Sequence, residues 1–444
     1  MNGVKRTFGY IIFAAFLFLS HSLSAESSAF FVDISSFSRS DIAQETETKS
    51  SDIPLSGGAS NFALKAELLA SRFSLKFGAG ISLISKGIPT VELRESVITT
   101  AWQEGVQFRL GRVSAFSVGP DPSGWLSGAR SPSSLITPLA PTHSYIDLIQ
   151  FSLQDNSFFA HIAVLPFAPQ FSRSSPEDPL FDWYQIDSEV NSVFSTYTLN
   201  VFDYPDEMGQ LELNPACYVC TGVAEEMFTV YLFGFAGPDR FPVRSFQYRV
   251  AGHLDQFNLS CRQESAVVYG GGILAELFAS AWDIQMGGAW TGGRLFSQGK
   301  NVNIEGDWTI PVSMDSFDLS ARFVQRPFES DFCEISAKLQ YLVPINPPNE
   351  LNLPTFSRIS IISASFRPLP IPLWFSIDWT QSLQDGSYIL GGTAVVKIPT
   401  QGELAFALGI PSGEVKSEFG QYREHSRAFC SLSLKWNVSD LDSF

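Results

Sequence analysis

The residues best placed by type and spacing to do chemistry are Cys217 and Cys220, two thiols in Cys217-Tyr218-Val219-Cys220. Such a pair can be half of a zinc site, a redox centre or a small disulfide loop. No second ligand pair stands at zinc spacing, and no βαβ pattern surrounds the motif. The plain reading is a candidate disulfide, or two thiols, in a loop of an exported protein. Cys261, Cys333 and Cys430 lie in strand-like runs and read as small hydrophobes.

Nucleophilic catalysis finds little material. After the first 25 residues the histidines are His143, His161, His253 and His425, and there is no Gly-x-Ser-x-Gly elbow. His253, in phase with Arg249 and Gln247, is the one candidate base. The chain is therefore expected not to be an enzyme, with no catalytic, metal or cofactor site. Gly111 to Trp125, rich in Gly and Pro, is either a constriction or an ordinary long loop with an interfacial Trp, and the second reading is preferred.

Cations form the last group with chemical potential. Arg109, Arg112, Arg249, Arg322, Lys338 and Lys397 fall at or near the polar phase of strand-like runs and are candidate lumen-lining residues. Many acids instead sit in segments without pattern, such as Asp41, Glu45, Glu47, Glu177, Asp178 and Asp182. Cationic walls raise the local concentration of anions, so a pore lined this way is expected to favour anionic or neutral polar solutes.

The elements that must position these residues are strands. Phe73, Leu75, Phe77, Ala79, Ile81 and Leu83 alternate with Ser74, Lys76, Gly78, Gly80 and Ser82. The same period of two runs through Val106–Leu110, Phe246–Val250, Phe317–Phe323, Ile335–Tyr341 and Leu390–Ile398. A strand turns successive side chains to opposite faces, so each run has one oily and one wet face. Between runs, short turns such as Asp155-Asn156 contrast with long stretches: Pro166 to Asp187, Asp203 to Glu226, Val343 to Phe356 and Pro411 to His425.

Composition agrees. Hydrophobic residues are 45% of the 444, yet no run after the N-terminus reaches the 18 or so of a spanning helix. The 39 Phe and 9 Trp suit strands and aromatic girdles, and 17% charge is low for a water-exposed surface. Lys5 and Arg6, the apolar Phe8 to Leu19 and Leu23-Ser24-Ala25 make residues 1–25 a signal peptide. Without those two cations, 45 acidic residues face 27 basic ones, which argues against nucleic acid as a partner.

In overall design the chain resembles Gram-negative-type outer-membrane β-barrel proteins over residues 60 to 438, and no narrower family is assigned. In such proteins the last strand carries an insertion signal of alternating apolar residues ending in an aromatic. Leu432, Leu434 and Trp436, with Cys430 before them, match it and place its end at Trp436, not Phe444. The resemblance implies an all-β fold: one transmembrane antiparallel β-barrel of about 16 strands, with 14–18 in range. The expected division is a signal peptide (1–25), a polar N-terminal arm or plug-like segment (26–60), the barrel (61–438) and a short tail (439–444). It also implies location in the cell outer membrane, with membrane lipid, the barrel-assembly machinery and a small solute as partners. The expected function is a passive, porin-like channel or transporter for small polar or hydrophobic solutes. The alternative is a closed barrel whose long loops bind an external partner, as an adhesin or in polysaccharide assembly.

Overall fold

The structure is a computed structural model. It describes residues 27–43, 59–70, 73–84, 90–103, 105–126, 145–166, 198–203, 215–239, 243–250, 256–298, 310–327, 332–348, 351–353, 357–368, 372–398, 402–414, 417–420 and 425–434. The first strands are β1 (Ser27–Ala43), β2 (Ala59–Ala70), β3 (Phe73–Ile84), β4 (Thr90–Gln103), β5 (Val106–Ser114), β6 (Tyr145–Asp155), β7 (Phe158–Leu165) and β8 (Thr198–Asp203). Next come β9 (Ala216–Ala224), β10 (Phe228–Pro238), β11 (Val243–Val250), β12 (Gln256–Glu264), β13 (Val267–Phe278), β14 (Trp282–Gln298) and β15 (Val312–Gln325). The series ends with β16 (Cys333–Pro344), β17 (Leu351–Asn352), β18 (Arg358–Phe366), β19 (Leu373–Ser382), β20 (Tyr388–Ile398), β21 (Gly402–Ser412) and β22 (His425–Leu434).

Eighteen of these strands pair antiparallel in a ring: β1 to β7, β9, β10, β13 to β16 and β18 to β22. Ser38–Ala43 of β1 pair with His425–Cys430 of β22 and close it. The count lies at the upper end of the expected range. With strands about 4.8 Å apart and tilted by about 40°, eighteen of them set opposite backbones about 36 Å apart, wide enough for an aqueous interior.

The two rims differ. On one, the connections between β2 and β3, β4 and β5, β6 and β7, β9 and β10, β13 and β14, β15 and β16, β18 and β19, and β20 and β21 are 2 to 7 residues long. The start of β1 and the end of β22 share this rim. On the other rim the connections include 115–144, 166–215 and 239–266. Two of these long connections form a separate sheet in which β12 pairs antiparallel with β11 and parallel with β8.

The period of two sets the faces of the wall. On β15, Phe317, Leu319 and Phe323 are exposed, whereas Ser316 and Asp318 in the alternate phase are buried. On β6, Ile149, Phe151 and Leu153 are exposed around buried Gln150. The exposed apolar residues continue from strand to strand over the outside of the ring, the mark of a wall facing lipid.

Several expectations are corrected. Ser27–Ala43 form β1 and pair with β2, so this part of the expected arm is barrel wall; residues 44–58 lie outside the described residues. Asp203 to Glu226 is not one long loop, because Ala216–Ala224 form β9. Phe246, Tyr248, Val250 and Arg249 belong to β11 of the separate sheet, so Arg249 is not a residue of the ring wall. Alternation alone cannot tell a wall strand from a strand in a loop, because both are half-buried. Leu432 and Leu434 lie on β22 opposite Leu404 and Gly402, while Trp436, the signal peptide and the tail lie outside the described residues.

Candidate functional site in the barrel interior

Cys217 and Cys220 show how the wall sorts side chains. Both lie on β9 rather than in a loop, and both are free thiols. Residues three apart on a strand point to opposite faces and sit about 10 Å apart, beyond the roughly 7 Å that a disulfide spans. Cys220 is buried on the inner face beside Tyr218, and Cys217 shares the outer phase with exposed Val219. The disulfide expectation therefore fails on geometry. Alkylation of the protein unfolded without reductant should label both thiols; an oxidised, unlabelled pair would contradict this placement.

The same rule separates the arginines of β5. Arg109 faces Thr99 and buried Gln150 on the inner surface. Arg112, three residues on, shares the outer phase with exposed Leu110. There it makes a two-pronged ion pair with Asp147 of β6, both contacts at 2.9 Å. Arg112 is thus not a lumen residue but an outer-wall residue.

Arg322, Lys338 and Lys397 lie in the inner phase of their strands. Arg322 of β15 lies directly opposite Lys338 of β16, in phase with buried Asp318 and Gln340. Lys397 of β20 shares the phase of buried Ile389 and Thr393. Arg322 also faces Gln285, whose Nε2 donates to Glu276 Oε1 at 2.6 Å, and Tyr231 Oη donates to Glu276 Oε2 at 3.2 Å. A transverse row of inner side chains therefore passes from an acid to a pair of bases within four strands.

The segment after β5 folds into the barrel, against the preferred loop reading. Ala115–Ser117 form a short 3-10 turn, and Ala115, Val118, Ser123, Trp125 and Leu126 are all buried. Their partners are inner-face residues of β9, β10 and β14. The Trp125 ring stacks on Phe235 of β10 with centroids 4.8 Å apart, and Trp125 Nε1 donates to Pro238 O at 3.2 Å. Tyr218 Oη of β9 donates to Pro120 O at 2.8 Å. Gly119 lies so close to that phenol that an added Cβ would sit 2.6 Å from the oxygen, so only glycine fits there. Pro122 reaches the inner face of β14, where a Cβ on Gly287 would meet its ring at 3.1 Å. The segment thus crosses from β5 to β14 along the inside, six strand spacings or roughly 29 Å.

A buried ion cluster anchors the far end of this path. Gly293, at φ +79°, is the extra residue of a bulge between Thr291 and Arg294. Glycine tolerates that backbone, and the bulge turns Arg294 from the outer to the inner phase. Arg294 Nε then meets Asp239 Oδ2 at 3.1 Å and Nη1 meets Asp318 Oδ2 at 3.0 Å. Asp239 follows Pro238, the acceptor of the Trp125 indole. One junction therefore holds the inward segment, the wall and the root of the separate sheet.

Tyr218, Asp239 and Arg294 were not singled out from the sequence, and Trp125 was read only as an interfacial Trp. The Gly292-Gly293 doublet is a local signal of a bulge, although Gly287-Gly288 on the same strand makes none. His161, one of the four histidines, sits on the inner face stacked on Tyr218 at 5.8 Å. His143 and His253 lie outside the described residues.

No protein-family model matches the chain, and no curated protein matches it. Among solved structures it is similar in fold to OccK9 (OpdG) of Pseudomonas aeruginosa, at 8% identity and TM-score 0.47, covering 93% of this chain and 97% of that one. OccD3 (OpdP) of the same organism is similar at 9% identity and TM-score 0.46, covering 93% and 92%. OmpF of Salmonella typhi is similar at 7% identity and TM-score 0.44, covering 92% and 97%. At these identities the likeness concerns the fold alone, and the assignment rests on the closed ring and its apolar outer face. By architecture the chain is an outer-membrane-type β-barrel protein.

Proposed function

We propose that the protein is a passive channel of the cell outer membrane for small anionic or neutral polar solutes. The observation that carries this reading is Arg322 directly opposite Lys338 on the inner face of an eighteen-strand ring. Like charges facing each other across a strand pair destabilise it. Water and a passing anion relieve that cost, whereas a packed interior would raise it. The inward segment narrows the same interior along the wall from β5 to β14, next to β15, so solutes pass close to the basic pair.

Reversal potentials across a planar bilayer under a salt gradient test the reading. Chloride should permeate more readily than potassium, and the Arg322→Glu/Lys338→Glu double variant should invert that order. The preference should fade as salt rises from 0.1 M to 1 M, because the screening length shrinks from about 10 Å to about 3 Å. Cation preference in the parent would sink the proposal.

A second reading keeps the lumen closed and gives the long rim a binding task. The separate β8–β12–β11 sheet favours it, since ordered strands outside the wall are a fit surface for an external partner. Protein that inserts into bilayers without passing current would favour that reading over the channel.

A further inference from the structure

Away from the inward segment, the inner faces of β16 and β18 to β21 enclose a cavity of about 370 Å³, within the roughly 300–1,000 Å³ of small-molecule sites. Its floor is one transverse row: Ser336, Ser363, Asp378, Gly391 and Gly409, each opposite the next across neighbouring strands. The two glycines carry no side chain beside Asp378, and their absence of bulk is what hollows the wall. Along β19, Ser376 and then Trp374 line the cavity towards the short-connection rim, and Thr380 lines it on the other side.

The polar groups here are not used up by the protein. Asp378 has one contact, from Ser376 Oγ to Oδ2 at 3.4 Å, and no ion pair among the described residues. Glu334, at the edge, is engaged by Arg326 at 3.5 Å. Lys338 stands two strands and one row from Asp378, about 12 Å by backbone spacing, and makes no ion pair with it. A lone ionised carboxylate offers only acceptors, and hydroxyls offer both donors and acceptors. An indole offers an apolar face. A cation would want a second free carboxylate, and an anion would be repelled by Asp378. Neighbouring hydroxyls on a ring with one apolar C–H face satisfy all three elements together.

We propose that the Asp378 notch is a subsite for neutral polyhydroxylated solutes of mono- to trisaccharide size, with Trp374 packing on the apolar face and Asp378 accepting from adjacent hydroxyls. This deepens the channel reading and rests on it. Sucrose and maltotriose added to single channels in a planar bilayer should interrupt the ionic current in a saturable manner. Asp378→Ala and Trp374→Ala should each weaken that block about tenfold, the loss of one charge-assisted hydrogen bond or one stacked face. Both variants should retain the open-channel current and heat-modifiable migration on gels. A conducting channel that neither sugar interrupts, or a block unchanged in both variants, overturns the subsite. Block by spermine in place of sugar overturns it as well. If the protein passes no current, the channel reading falls separately. Sugar titration of the detergent-solubilised protein, read by tryptophan fluorescence, then decides the subsite: a saturable change lost in Trp374→Phe supports it, and no change overturns it.

Discussion

A Trp125→Ala protein should pass a larger and noisier single-channel current than its parent, while the barrel itself still inserts and migrates as a folded species. Trp125 is 1% exposed, stacks on Phe235 and spends its indole N–H on Pro238 O. Truncating a buried Trp typically costs about 3–5 kcal/mol through lost burial and the cavity left behind. The ring's own hydrogen bonds do not pass through Trp125, so the loss falls on the inward segment and not on the wall. Tyr218 to Pro120 is then the main tether left, worth about 1 kcal/mol. Released from its far end, the segment samples positions away from the wall and the current fluctuates. An unaltered conductance with quiet open levels would mean that 115–126 does not border the conducting path.

Arg294→Ala should be the most damaging single change for stability, at about 3–5 kcal/mol, because it leaves Asp239 and Asp318 buried without their shared cation. Arg294→Met fills similar volume but restores neither charge nor hydrogen bonds, so it should be nearly as damaging. An Asp239→Asn/Arg294→Met/Asp318→Asn protein removes all three charges together and should recover much of the loss. Unfolding midpoints in urea from a fixed lipid or detergent compare the four proteins. If Arg294→Ala were neutral, the cluster would not be the anchor described. If the triple variant were as unstable as Arg294→Ala, the damage would lie in packing and not in stranded charge. Trp125→Ala and Arg294→Ala meet at Pro238-Asp239, so their effects should fall short of additive by about 0.5–3 kcal/mol.

The wall was legible because its rule is local. Phe73 to Leu83, Phe317 to Phe323 and Ile335 to Tyr341 alternate strictly, and each lies on a ring strand. Phe246 to Val250 alternates equally well, yet it forms part of a sheet built by connections. What distinguishes the two is the pairing partner, which is set by chain segments far apart and leaves no local trace. Arg112 is a different case. Its separation of three from Arg109 already forbids a shared face on a strand, so the two could not both line the lumen. The inward segment was hidden for a further reason: its burial depends on Phe235, Tyr218 and Gly287, each more than 90 residues downstream, and no spacing inside 111–125 encodes them. The isolation of Asp378 depends on Gly391 and Gly409 standing beside it in register, which no local spacing encodes.

The outward Arg112–Asp147 pair also acts as a depth gauge. Along the outer phase of β6, Asp147 is followed by Ile149, Phe151 and Leu153 before Asp155 at the short-connection rim. Eight residues at about 3.4 Å each, tilted by about 40°, set those two carboxylates about 21 Å apart along the membrane normal. Ion pairs belong among headgroups and not in hydrocarbon, so this face matches a thin bilayer, as bacterial outer membranes are. In lipids with long acyl chains the hydrocarbon must compress around β6 or the barrel must lean. Insertion should therefore be fastest in short-chain vesicles.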